Sequence, residues 1–131
     1  MGQYIYGNAS YCTSCNGSNG ACAPNYPCNN SSYHIAYSNV NVDWGCGIPQ
    51  RSCNSVVYIW DYCKSKGSYA SIRDQNAGST QSSCNSSTYC NNQSNNDPNF
   101  GKPIVDMTEA LFRYVHGDLS DGRIKVSVYL F

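Results

Sequence analysis

Nine cysteines in a chain of 131 residues limit the available folds more than any other feature. Cys12, Cys15, Cys22, Cys28, Cys46, Cys53, Cys63, Cys84 and Cys90 run through a background of 16 Asn, 19 Ser and 11 Gly, where long stretches hold too little apolar surface to build a core. In a single small domain this pattern predicts a disulfide framework and an oxidising, extracellular setting. An odd total leaves at least one sulfur without an intrachain partner. Cys12, Cys15, Cys22 and Cys28 also have a spacing that could close a zinc tetrahedron. The spread of the other cysteines along the chain favours disulfides, and neither a metal nor another cofactor is expected.

Charge removes several classes of partner. Eight Lys and Arg balance eight Asp and Glu, so nothing supplies a broad attraction to nucleic acid or to an anionic membrane surface. No apolar run reaches the length of a membrane span, and no secretory apolar segment follows Met1. The chain is therefore read as the mature form of a secreted, monomeric protein. Six Asn-x-Ser sequons, at Asn8, Asn16, Asn29, Asn30, Asn85 and Asn92, agree with secretion, although a chain this rich in Asn and Ser makes them by chance.

Hydrophobic periodicity places the ordered elements at the two ends and the middle. Residues 3–12 alternate, with Tyr4, Tyr6 and Asn8 opposite Ile5 and Gly7, and predict a first strand. Residues 12–32 read as stapled loop, and the pieces Ile35-Ala36-Tyr37, Val40 and Val42 as weak strand or turn. The run Val56-Val57-Tyr58-Ile59-Trp60 predicts a central strand ending at Asp61 and buried on at least one face, with Trp60 in the core. Residues 64–103 read as a long polar insertion within a single domain spanning 1–131. Met107, Leu111 and Val115 recur every fourth residue and predict a helix stopped by Gly117. From Arg123 to Phe131, Ile124, Val126, Val128 and Leu130 alternate strictly and predict a buried closing strand.

Taken in order, these segments resemble the six-stranded double-psi β-barrel of expansin first domains, barwin-like proteins, family-45 endoglucanases and RlpA-type proteins. The resemblance rests on Gly20-Ala21-Cys22, on Cys46-Gly47, on the apolar strand running into Asp61-Tyr62-Cys63, on Asp106-Met107-Thr108-Glu109-Ala110-Leu111-Phe112, and on Gly122-Arg123-Ile124-Lys125-Val126. It implies a mainly β fold with one short helix and disulfide-stapled loops, and suggests Cys22 with Cys46 as a bridge. The function it implies is non-hydrolytic binding or loosening of cell-wall polysaccharide. Glycoside hydrolysis or lytic transglycosylation on the same barrel, and a barwin-like defence or inhibitor role, are the alternatives. Ile104-Val105 stands where expansins usually have His-Phe, and Tyr11-Cys12-Thr13 stands where hydrolytic relatives carry another carboxylate.

The same resemblance implies Asp106 and Asp61 as a carboxylate pair beside an open groove. Two such groups suit glycan chemistry, because one kept protonated can donate to a glycosidic oxygen while the other stays ionised. Asp106, three residues before Glu109, also reads as a helix N-cap with its capping-box partner. Flat aromatic faces are the usual contact for sugars, and Tyr11, Trp44 and Tyr62 are the candidates at loop edges near the groove. Tyr6 and Trp60 are the remaining aromatic candidates. His116 falls where a helix C-terminus favours a cation and is read as structural.

Overall fold

The computed structural model describes residues 2–13, 16–17, 20–37, 48–75 and 103–131. Trp44, Cys46 and the cysteines at 15, 84 and 90 lie outside these residues. Ten residues of alternating side chains form β1 (Gln3–Cys12), and two short pairs follow, β2 (Asn16–Gly17) and β3 (Cys28–Asn29). The four-residue β4 (His34–Tyr37) is buried throughout. It is followed by β5 (Val56–Asp61), β6 (Lys66–Gln75), β7 (Val105–Thr108), α1 (Glu109–Val115), a 3-10 turn at Leu119–Asp121 and β8 (Ile124–Leu130).

Six of these strands close into a barrel in the order β1-β7-β4-β6-β5-β8, while β2 and β3 form a separate ribbon. The β1–β7 and β4–β6 pairs are parallel and the other barrel pairs antiparallel. This mainly β, six-stranded double-psi barrel with one short helix is the architecture the sequence motifs imply. Its interior is filled by one face of every strand, including Ile5 and Ala9, Ile35, Val57 and Ile59, Ala70 and Ile72, Met107, and Ile124, Val126, Val128 and Leu130. On the helix, Leu111, Phe112 and Val115 close one end of that core. Among the described residues, no helix is long and apolar enough to cross a membrane.

Four sequence expectations are corrected. Lys66–Gln75, read as the start of the polar insertion, is a ten-residue strand that spends only Ala70 and Ile72 on the core and so lacks an apolar signature. Trp60, assigned to the core, lies with Tyr58 on the outer barrel face, because Val57, Ile59 and Asp61 take the inward positions of β5. Asp106 does not cap the helix: it belongs to β7, the N-cap is Thr108, and the first helical N–H, that of Glu109, donates to Asn30 Oδ1 at 2.9 Å. Cys22 pairs with Cys53 and not with Cys46, since the turn before β5 brings Cys53 to 5.5 Å at Cα across 31 residues of chain. That bond also removes Cys22 from the four-cysteine zinc set.

Candidate functional site

Four strands carry one row of residues across the barrel wall. Ser10 on β1 is in register with Asp106 on β7, Asp106 with Ala36 on β4, and Ala36 with Asp74 on β6. Val105 and Met107, on either side of Asp106, are fully buried in the core, so Asp106 faces outward. Ser10 Oγ donates to Asp106 Oδ1 at 2.8 Å, which orients the carboxyl group. With one strand between them, Asp106 and Asp74 stand about 10 Å apart at Cα by ordinary strand spacing.

Asp74 reaches this row through a bulge. Ala70 and Ile72 face the core, and simple alternation would send Asp74 inward as well. The β4–β6 register shifts between Ile35 and Ala36, so that Ile35 faces Ile72 while Ala36 faces Asp74. One extra residue re-aims the side chain to the outer face. The motif Gly20-Ala21-Cys22 then holds it. Ala21 N–H donates to Asp74 Oδ1 at 2.7 Å, and a Cβ at position 20 would lie only 3.1 Å from the Asp74 carboxyl carbon. Gln75 N–H donates to the same oxygen at 2.8 Å.

The electrostatics of the row raise the pKa of Asp106. Burial pushes its carboxyl above the ordinary value and the negative charge of Asp74 adds to that, while the Ser10 hydrogen bond and the Arg123 guanidinium pull the other way. A carboxyl held partly in reserve as an acid, beside a second carboxylate, is the arrangement that glycan chemistry uses.

Asp61, the other carboxylate singled out from sequence, is placed elsewhere. It ends β5, which pairs with β6 and β8 and not with β7, and it is fully buried. Its Oδ1 accepts from Cys63 N–H at 2.7 Å, and its Oδ2 meets His116 Nδ1 at 2.7 Å. The other His116 ring nitrogen, Nε2, lies 2.6 Å from Asp121 Oδ2. The ring is thus held through both nitrogens between two carboxyl groups. The clamp ties β5, the helix end and the 3-10 turn together. Cys63 approaches the same cluster, but its sulfur is in a disulfide and is not available as a metal ligand.

The aromatic candidates also separate. Tyr11 is half-buried with its ring 5.1 Å from that of Phe112, on the core side of β1. Tyr62 is exposed and lies under the Lys125 ammonium, 5.3 Å from the ring centroid, at the end of β5. Trp44 is outside the described residues. Sequence reasoning missed Ser10 and Asp74. The signal for Asp74 was the weak alternation Tyr69, Ser71, Arg73 against Ala70 and Ile72, a strand ending in Asp that the stronger apolar run before Asp61 overshadowed.

Among solved structures, the apo form of an expansin from Clavibacter michiganensis is similar to this chain. Its TM-score is 0.59 at 17% identity, and the match covers 96% of this chain and 49% of that one. The chain thus spans about half the length of that expansin. At this identity the likeness is one of fold, a double-psi barrel. No protein-family model matches the sequence, and no curated protein does.

Proposed function

We propose that this protein is an expansin-like domain that acts outside the cell, binding and loosening cell-wall polysaccharide without efficient hydrolysis. The observation that carries this reading is the row Ser10, Asp106, Ala36, Asp74, in which a carboxyl group with a raised pKa is presented on the outer barrel wall. Asp106 is the essential acid: protonated, it donates to a glycan oxygen and weakens the contacts that hold one chain against its neighbour. Ser10 fixes the orientation of that carboxyl, and Asp74 keeps a negative charge facing it. The balance of acidic and basic residues suits a neutral polymer.

Hydrolysis or lytic transglycosylation remains the competing chemistry, and the presence of a second carboxylate, Asp74, on the same row as Asp106 is what favours it. Against efficient hydrolysis stands the anchoring of Asp74, whose Oδ1 already accepts from two backbone N–H groups and leaves only Oδ2 to meet a water. The deciding experiment measures creep of wall strips under load alongside release of reducing ends from cellulose, chitin and peptidoglycan. Extension without new reducing ends, abolished by Asp106→Asn, is the expected result. Reducing-end release that depends on both Asp106 and Asp74 would replace this reading with the enzymatic one.

A further inference from the structure

The opposite wall of the barrel carries a second feature, unrelated to the carboxylates. Tyr4 on β1 is in register with Tyr129 on β8, Tyr129 with Tyr58 on β5, and Tyr58 with Tyr69 on β6, a row of four tyrosines across four strands. The next row is Tyr6, Ser127, Trp60 and Gly67, where large and small residues alternate. Tyr4, Tyr6 and Tyr69 are 58%, 55% and 59% exposed, far more than rings recruited to a core. The small residues open hollows between the rings. A Cβ on Gly67 would lie 2.6 Å from the Tyr58 hydroxyl, so glycine there lets that ring lie across β6.

The rings meet edge to face as often as face to face. Tyr4 and Tyr129 are inclined at 65° and Tyr58 and Tyr69 at 73°, whereas Tyr4 and Tyr6 stack at 19°. Such a surface is ridged, and its ring faces line depressions. One, of about 320 Å3, lies among Tyr4, Tyr6, Tyr58, Trp60, Tyr62 and Ser127. A second, of about 220 Å3, shares Tyr4 and Tyr58 with it and continues the trough. Neither lining contains a charged side chain. Lys125 stands at the margin, its ammonium 5.3 Å from the Tyr62 ring centroid.

We infer that this trough is a second glycan site, which grips a single neutral β-1,4-linked pyranose chain by stacking and hydroxyl contacts while the Asp106 row works on another chain. The proposal relies on the reading given under Proposed function for its choice of ligand. Its own support is chemical. Equatorially substituted pyranoses present apolar C–H faces that match ring faces, and hydroxyls that pair with tyrosine hydroxyls. Neighbouring strands bring the rings round at a pitch of about 4.8 Å, close to the length of one such sugar unit. A linear uncharged polymer fits an elongated uncharged trough, whereas a folded protein partner of ordinary interface size would call for a filled, complementary surface and a polar rim.

The test uses Trp44→Phe protein, in which Trp60 is the remaining tryptophan, titrated with cellohexaose and followed by its emission. A saturable change is expected, weakened about tenfold or more by Tyr58→Ala and by the exposed Tyr6→Ala, and moved less than about twofold by Asp106→Asn. Thermal melts of the variants check that the barrel is intact, and Tyr6→Ala removes a ring outside the core. An unresponsive Trp60, or wall variants that bind like the parent, would overturn the proposal. So would sedimentation in which the wall variants convert a dimer to monomer at unchanged cellohexaose affinity, since the occupant would then be a second copy. The two readings fail separately. Full creep activity in Asp106→Asn, with a responsive Trp60, would remove the proposed function and leave the trough standing. Creep that depends on Asp106, with a silent Trp60, would remove the trough alone.

Discussion

The two outer walls of this barrel share β1 and β6 and little else. Along β1 the outward positions are Tyr4, Tyr6 and then Ser10, so one strand passes from aromatic contact to hydrogen-bonded carboxyl within about 13 Å. The first half pairs with β8 and meets rings; the second half pairs with β7 and meets Asp106. On the carboxylate wall every polar group is positioned by another, Asp106 by Ser10 and Asp74 by two backbone N–H groups. On the aromatic wall the rings lie against one another, at 4.7–6.2 Å between centroids. Fixed orientation serves a reaction or a proton; a ring surface serves contact. The pairing of the two on one small barrel is what a protein that slides glycan chains past one another would need.

The comparison can be broken from beneath, because both walls stand on the same core. Val57→Asp or Val126→Asp puts an unpaired charge among residues that are fully buried, which costs several kcal/mol and should unfold the domain outright. Loss of a cooperative melt in each variant is the expected reading, and an unchanged melt would contradict the strand assignments. Asp61→Ala comes next. It leaves His116 facing Asp121 alone in a buried site, and breaking such a pair typically costs about 3–5 kcal/mol. Denaturant unfolding should show that loss in both walls together.

Asp106→Asn should separate the walls. The amide keeps the size of the side chain, so activity should fall by about a hundredfold or more, the usual share of a general acid, with the fold retained. Its stability effect depends on pH. Because burial raises the folded-state pKa of Asp106, the stability linked to its protonated form is complete below the ordinary carboxylate range and is lost as pH rises through the raised value. The variant should therefore melt higher than the parent at neutral pH and alike in acid. Melts that differ equally at both pH values would show that the ionisation carries no stored cost.

The smallest effects are shifts of the pH–activity profile. Asp74→Asn removes a negative charge that raises the Asp106 pKa, so the alkaline limb should move to lower pH. Ser10→Ala removes the hydrogen bond that lowers it, and the limb should move to higher pH. Profiles of the two variants measured side by side should diverge in opposite directions from the parent. Movement in the same direction would mean that neither acts through Asp106.

Much of this molecule is written locally. The strict alternation of Ile124, Val126, Val128 and Leu130 buries one face, and the four-residue spacing of Leu111 and Val115 marks a helix, although Met107, which continues that spacing, lies on β7. The alternation in β1 likewise separated Tyr4 and Tyr6 from Ile5 and Gly7. What the chain does not state is which distant residues meet. Asp61 and Asp74 each end a strand, and nothing local tells them apart. Closure of the barrel put one inside, against a histidine 55 residues away, and a bulge turned the other outward beside Asp106. The partner of Cys22 and the helix-capping role of Asn30 were decided in the same way, by contacts across 31 and 79 residues that exist only once the strands have paired. Periodicity records which face of an element is apolar; register between strands comes from packing, and it is register that built both walls.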